Sequence, residues 1–234
     1  MRTKLLDIIK NKGTRICLAA DVDSVEELLE IADTLGPYIC ILKLHYDIIP
    51  QFHEKECGKR LLELREKHNF LIWEDRKYAD IGSIMEKQIR LNVMPWANIV
   101  SVHALPGLES LKAIPNELGI IVIGELSCYE NIIDTNYTIK AVDMSNQLEN
   151  LLGFVGQRDF RLGKDKDNLM FVPGIGRNTG GGDNKGQRYS NIMEKAFGDV
   201  FVIGRSILNS NDRLATIKEF ICEAREVKEN YSIY

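Results

Sequence analysis

Short apolar runs alternate along the chain with longer stretches in which apolar residues recur every three or four positions. The runs fall at 15–21, 39–45, 70–73, 98–103, 120–127, 152–155, 169–173 and 200–204. Each has the length of a strand, and most lack polar alternation, as strands do when both faces of a parallel sheet are covered. Between them the spacing predicts helices: a short leading one, then 60–67, 84–93, 107–113 and 137–148 after the first βαβ unit. In that unit the linking helix carries Val25, Leu28, Leu29, Ala32 and Leu35 on one face. Ser24 and Glu27 form a capping box at its start, and Gly36-Pro37 stops it. A closing helix at 213–228 places Leu214, Ile217, Ile221 and Ala224 on one side. Eight strands alternating with helices predict an α/β protein of the (β/α)₈ barrel type, one domain over 1–234 with no linker.

In such a barrel the chemistry sits where the strands end. The first strand delivers Asp21 and the second Lys43 and His45. The third runs into Glu74-Asp75-Arg76-Lys77-Tyr78-Ala79-Asp80-Ile81-Gly82, and the fifth offers Ser127. Alternation puts Asp75 and Lys77 on one face of the third strand, Glu74 and Arg76 on the other. An exposed ion pair is the ordinary explanation for such a cluster. Here the strand is too apolar for a sheet edge, and Lys43 waits at the tip of its neighbour, so the cluster is read as the active site. His103 ends the fourth strand, where a lone His is expected to be a hydrogen-bonded wall residue. No grouping of His or Cys has metal-ligand spacing.

Pro173-Gly174-Ile175-Gly176 leads into a long Gly-rich stretch at 177–189, which fits neither G-x-G-x-x-G nor the Walker pattern. So long a loop in a compact domain reads as a lid. It follows strand seven, and Gly204-Arg205-Ser206 follows strand eight, the usual phosphate position of these barrels. Arg205 can grip a phosphate bidentately and Gly204 lets the backbone approach it, while Gln187 and Tyr189 share one side of an extended segment. A net charge of −4 and the lack of a Lys/Arg-rich run argue against a nucleic-acid partner. A small anion remains compatible, because a few focused cations outweigh a mildly acidic whole. Five cysteines at irregular spacing, with no C-x-x-C pair, point to a reducing compartment without disulfides or zinc. The opening MRTKLLDIIKNKG is broken by charge every few residues, so it is read as neither signal peptide nor membrane span, and a cytoplasmic protein is expected.

These residues resemble the orotidine 5′-monophosphate decarboxylase family, in its eukaryotic-type branch. The resemblance is carried by LAADV (18–22), LGPYICILKLHYDI (35–48), NFLIWEDRKYADIG (69–82), GELSC (124–128), VPGIG (172–176), GQRY (186–189) and VIGRS (202–206). They follow family order from first strand to last, and the D-x-K-x-x-D motif stands as Asp75, Lys77 and Asp80. The resemblance implies that Lys77 protonates C6 of the pyrimidine, that Asp75 sits beside the substrate carboxylate, and that Lys43 completes a Lys–Asp–Lys chain. It implies a homodimer in which Asp80 reaches the neighbouring site, and no metal or organic cofactor. Asp21 and Lys43 would hold ribose hydroxyls, Ser127 and Gln187 the base, and Gln187, Tyr189 and Arg205 the phosphate. His45, Ile81, Ile84, Pro173 and Gly204 complete the implied substrate-binding set. One departure stands out: Ile84 occupies the place where the family usually has a ribose-contacting Thr, with Ser83 beside it. Two other readings share these residues: a Mg²⁺-dependent sugar-phosphate decarboxylase or aldol-type synthase of the same superfamily, and a silent nucleotide-binding barrel.

Overall fold

The structure, a computed structural model, describes residues 1–53, 56–161, 167–177 and 186–231. Its strands are β1 (Ile16–Ala19), β2 (Ile41–Leu44), β3 (Leu71–Tyr78), β4 (Ile99–His103), β5 (Gly119–Ile123), β6 (Leu151–Val155), β7 (Leu169–Val172) and β8 (Val200–Ile203). They pair in parallel in sequence order and close, β8 against β1. The helices are α1 (Arg2–Lys12), α2 (Val25–Leu35), α3 (Cys57–His68), α4 (Gly82–Asn92), α5 (Leu108–Lys112), α6 (Thr135–Ser145), α7 (Arg205–Leu208) and α8 (Arg213–Tyr231). The expected barrel is therefore the observed one.

Strand alternation sorts the apolar residues into two layers. Cys17, Ile41, Leu71, Trp73, Ile99, Ile121, Phe171 and Val200 fill the barrel interior, and Leu5 and Ile8 of α1 belong to the same cluster. Ile16, Leu18, Leu42, Ile72, Val100, Val122 and Ile203 face outward against the helices. The two-residue period that sends Leu71 and Trp73 inward also sends Asp75 inward, and it turns Glu74 outward with Ile72. Both acids are buried, at 6% and 0% exposure.

Several boundaries differ from expectation. β3 does not end at Trp73 but continues through the charged segment to Tyr78, because β4 still pairs with it. The pairing is uneven there: the step from Glu74 to Tyr78 on β3 matches that from Val100 to Val102 on β4. That bulge holds Lys77 at φ 61°, a left-handed conformation rare outside glycine. The capping box is half realised. Ser24 Oγ accepts from the Glu27 amide at 3.1 Å, while the Glu27 carboxylate takes Arg213 at 3.0 Å. Arg205–Leu208, just after β8, forms the single turn of α7. On α8, Ile217, Ile221 and Ala224 are buried as expected, but Leu214 is exposed at the helix start. Much of the Gly-rich stretch, 178–185, lies outside the described residues. All five cysteines are free, with Cys17, Cys40 and Cys57 buried as small hydrophobes.

Two positions test this framework. A Cβ on Gly153 would lie 1.9 Å from the Leu169 carbonyl oxygen where β6 meets β7, so Gly153→Ala is expected to cost about 3 kcal/mol or more in urea unfolding. Burial raises the Glu74 carboxyl from its ordinary 4.5 to about 8. The folded state thus keeps a proton that the unfolded chain releases, and stability attached to it is present below 4.5 and lost as pH rises toward 8. That loss is on the order of 3 kcal/mol by neutral pH. Glu74→Gln should flatten this slope between pH 5 and 8, measured by urea midpoints across pH.

Candidate active site

A cavity of about 290 Å³ opens at the C-terminal ends of the strands. Its wall includes Asp21, Lys43, His45, Asp75, Lys77, Ser127, Pro173, Gln187, Tyr189, Gly204 and Arg205, together with Trp73, Val155 and Val202. Residues from seven of the eight strand ends and their loops thus converge, which is how this fold builds sites.

Asp75 stands at the centre. Its Oδ2 lies 2.8 Å from Lys77 Nζ and 3.2 Å from Lys43 Nζ. Its Oδ1 accepts a 2.7 Å hydrogen bond from Ser101 Oγ. Ser101 also accepts from the Lys77 amide at 3.2 Å, so one buried hydroxyl ties the bulged residue to the acid. Lys43 reaches on to Asp21 Oδ1 at 3.2 Å, giving a row Asp21–Lys43–Asp75–Lys77 of alternating sign. Burial alone would push the Asp75 carboxyl up; Lys43 and Lys77 outweigh it and hold the group down at about 2. Lys43 is likewise opposed by burial, and Asp75 and Asp21 raise it above its ordinary value. Both groups therefore stay charged at neutral pH.

His45 follows the opposite logic. Burial, then the charge of Lys43, lowers it to about 4, so the ring is neutral. Its Nε2 is 3.1 Å from Lys43 Nζ, and since an ammonium can only donate, Nε2 is the acceptor and Nδ1 carries the hydrogen. His103 does not line the cavity, and its buried Nδ1 has no hydrogen-bond partner, against the expectation of a bonded wall residue.

The opposite wall comes from the segment after the Gly-rich stretch. Gln187 bridges to Cys128 in antiparallel fashion, and its Nε2 donates to Ser127 Oγ at 2.9 Å. The Arg188 amide donates to the Ser127 carbonyl at 2.8 Å, which ties this segment to the loop after β5. The Arg205 guanidinium sits 5.3 Å from the Tyr189 ring centroid. Gly204 packs so closely that a Cβ there would meet the Ala19 carbonyl oxygen at 3.2 Å.

Three expected residues stand apart from this cavity. Asp80 is exposed and accepts from the Ile81 amide at 2.7 Å, while Ile81 and Ile84 are 62% and 37% exposed on the same rim. Ser101 is the participant that sequence reasoning missed. Its signal was a single hydroxyl at an inward position of the apolar run Ile99-Val100-Ser101-Val102.

Among the described residues, His45, Asp47 and Glu74 bring three potential donor atoms within 4.8 Å of one another. Arg76 already pairs with Asp47, His45 Nε2 is turned to Lys43, and burial raises the Glu74 carboxyl to about 8. No helix among the described residues is long and apolar enough to cross a membrane.

Comparison with known proteins agrees with this geometry. The chain is 35% identical over 222 residues to the orotidine 5′-phosphate decarboxylase of Rhizomucor pusillus, covering 90% of this chain and 84% of that one. It is 36% identical over 219 residues to the Cyberlindnera jadinii protein of the same name, covering 87% and 82%. It also matches uridine 5′-monophosphate synthase of Bos taurus at 36% identity, covering 93% of this chain and 47% of that longer protein. The crystal structure of orotidine 5′-phosphate decarboxylase from Pyrococcus horikoshii OT3 superposes with a TM-score of 0.71 at 25% identity, covering 90% of this chain and 99% of that one. The family model described as orotidine 5′-phosphate decarboxylase / HUMPS matches residues 14–220, and the chain belongs to that family.

Proposed function

We propose that the protein decarboxylates orotidine 5′-monophosphate to uridine 5′-monophosphate, the last step of pyrimidine nucleotide synthesis, without a metal or organic cofactor. The observation that carries this reading is the Asp75 carboxylate clasped between two ammonium groups at the cavity wall. Family membership supports the substrate, and the absence of a membrane-crossing helix among the described residues is compatible with a cytoplasmic enzyme.

Loss of CO₂ from C6 leaves an electron pair in an sp² orbital that the ring π system stabilises little. The enzyme must therefore stabilise charge that exists only near the transition state. Lys77 is the group for this: a fixed ammonium at C6 offsets the developing charge and then gives up a proton to it. Asp75 keeps that ammonium aimed, through the 2.8 Å contact, and it also faces the departing carboxylate with like charge. Lys43 bridges Asp75 to Asp21 and brings the row to the ribose. His45 accepts from Lys43 and so limits the directions in which that ammonium can turn. Ser127 and Gln187, already hydrogen-bonded to each other, face the base. Arg205 and Tyr189, in contact over one ring, take the phosphate, with Pro173 and Gly204 closing the wall around it.

The remaining three residues fit a second copy of the chain. Asp80, Ile81 and Ile84 are exposed together just beyond β3, as expected for residues that complete a neighbour's site in a homodimer. Ile84 offers no hydroxyl to a ribose, so one grip on the sugar is missing.

The direct test is addition of orotidine monophosphate to purified protein, with and without a chelator, following loss of orotate absorbance. Turnover indifferent to chelation supports the reading; turnover that needs Mg²⁺ and a sugar phosphate would favour the superfamily alternative. Lys77→Ala is expected to abolish decarboxylation while leaving uridine monophosphate binding measurable by calorimetry. Arg205→Ala should lower kcat/KM on the order of 100-fold or more, since a charge-assisted bidentate grip is lost, with an unchanged circular dichroism spectrum. Ile84→Thr should lower KM, and no improvement there would mean that the missing hydroxyl is of no consequence.

A further inference from the structure

Glu74 and Asp75 are consecutive on β3 and both buried, yet only Asp75 faces the cavity. Glu74 points the other way, into the layer between barrel and helices, where an acid is costly. Its one hydrogen-bond partner among the described residues is informative. Glu74 Oε2 accepts a 3.1 Å hydrogen bond from the Tyr46 amide, and Oε1 is buried without a partner. Tyr46 opens the 3₁₀ turn Tyr46–Ile48 that ends β2, and the residue before it is His45. The Tyr46 ring is held outside the barrel by Phe52 at 5.8 Å and Trp96 at 6.0 Å, with Phe52 and Trp96 themselves 5.0 Å apart.

The β2 tip is therefore gripped from both faces by adjacent residues of β3. Inside, Asp75 holds Lys43 at 3.2 Å. Outside, Glu74 holds the Tyr46 amide next to His45, two residues beyond its register partner Leu44. We propose that Glu74 is a positioning residue for decarboxylation: by fixing the Tyr46 amide it sets the backbone of His45, and through His45 the direction of the Lys43 ammonium. It touches neither the cavity nor any reacting atom. The geometry needs an acceptor at this reach, not a charge, since a single N–H is all that it takes from the turn. An amide side chain of the same length would serve, whereas a shorter acid or an apolar residue of similar size would break the bond that Glu74 makes to the Tyr46 N–H.

This inference rests on the decarboxylase reading, and the experiment separates the two. Glu74→Gln, Glu74→Asp and Glu74→Leu are compared with wild type by steady-state kinetics on orotidine monophosphate and by hydrogen exchange at the Tyr46 amide. Glu74→Gln is expected to stay within a few-fold of wild type in kcat. Glu74→Asp and Glu74→Leu should lose kcat on the order of 100-fold, the scale of a misplaced group of about 1 Å, with a much smaller change in KM. The Tyr46 amide should exchange faster in those two variants and not in Glu74→Gln. A merely structural role would move unfolding midpoints and leave kcat of the folded fraction alone. Wild-type kcat in Glu74→Asp or Glu74→Leu would overturn the proposal, as would Glu74→Gln being as impaired as Glu74→Leu. Should Glu74→Leu not fold, Glu74→Asp against Glu74→Gln carries the same decision. Wild-type protein that fails to decarboxylate would sink the substrate reading, while Tyr46 exchange would still report whether Glu74 governs the turn.

Discussion

An ionised acid buried between two ammonium groups is the constraint on which the rest of the site depends. Asp75 is only 6% exposed, and an isolated carboxylate at that depth would take up a proton. Two lysines within 3.2 Å and a serine hydroxyl at 2.7 Å reverse that outcome. Removing one partner from such a group usually costs 3–5 kcal/mol, because the remaining charge is left buried alone. The arrangement is therefore a source of geometric definition more than of stability: each charge is held where its neighbours need it. An ammonium held this way, in the role proposed for Lys77, would be reorganised before substrate arrives.

The barrel supplies the one geometry in which this works. Parallel pairing sets Lys43 of β2 opposite Trp73 of β3, one inward position before Asp75, and alternation turns Lys43 and Asp75 both inward beyond the apolar pair Ile41 and Leu71. Lys77 would continue that alternation on a regular strand, but the bulge at 74–78 gives it a left-handed backbone and a bond from its amide to Ser101. The Lys77 ammonium then bends back onto Asp75, reaching the backbone carbonyl at 3.1 Å as well as the carboxylate. Strain in the main chain is thus coupled to the aim of the Lys77 ammonium, the proposed proton donor, with Ser101 as the link.

Much of this was legible in residue order because it follows from period alone. Apolar runs at regular spacing define a barrel, and counting by two assigns Asp75 to the interior and Glu74 to the exterior. What period cannot convey is where a strand stops. Charges at 74–78 looked like a terminus, yet pairing with β4 carries β3 through them, because two lysines and a hydroxyl make an inward acid tolerable. Ser101 escaped notice for a related reason: its role depends on which strand lies beside it, and that is a tertiary fact. His103 shows the converse error, since a polar atom at a strand end found no partner where one was expected. Leu214 illustrates how a helical stripe overstates burial at the end of a helix, where the neighbouring surface has run out.

The rim beyond β3 raises a different question, which is why Asp80 should lie outside the cavity when Asp75 and Lys77 lie within. Only Tyr78 and Ala79 separate Lys77 from Asp80; the strand ends at Tyr78, and the chain turns into α4 at Gly82, just past Asp80. A Cβ on Gly82 would lie 2.9 Å from Ala113 Cβ and 3.1 Å from Ser110 Cα, so the helix start is pressed against α5 and cannot rotate toward the cavity. Asp80 is consequently aimed away from its own site by packing that is independent of its charge. On the proposed reading, an acid in that position would act on the ribose of a second copy, with Ile81 and Ile84 on the same rim as apolar surface for that copy to rest on. On that reading dimer formation and completion of the active site would be one event, because the residues offering apolar surface are the immediate neighbours of the acid that would cross it.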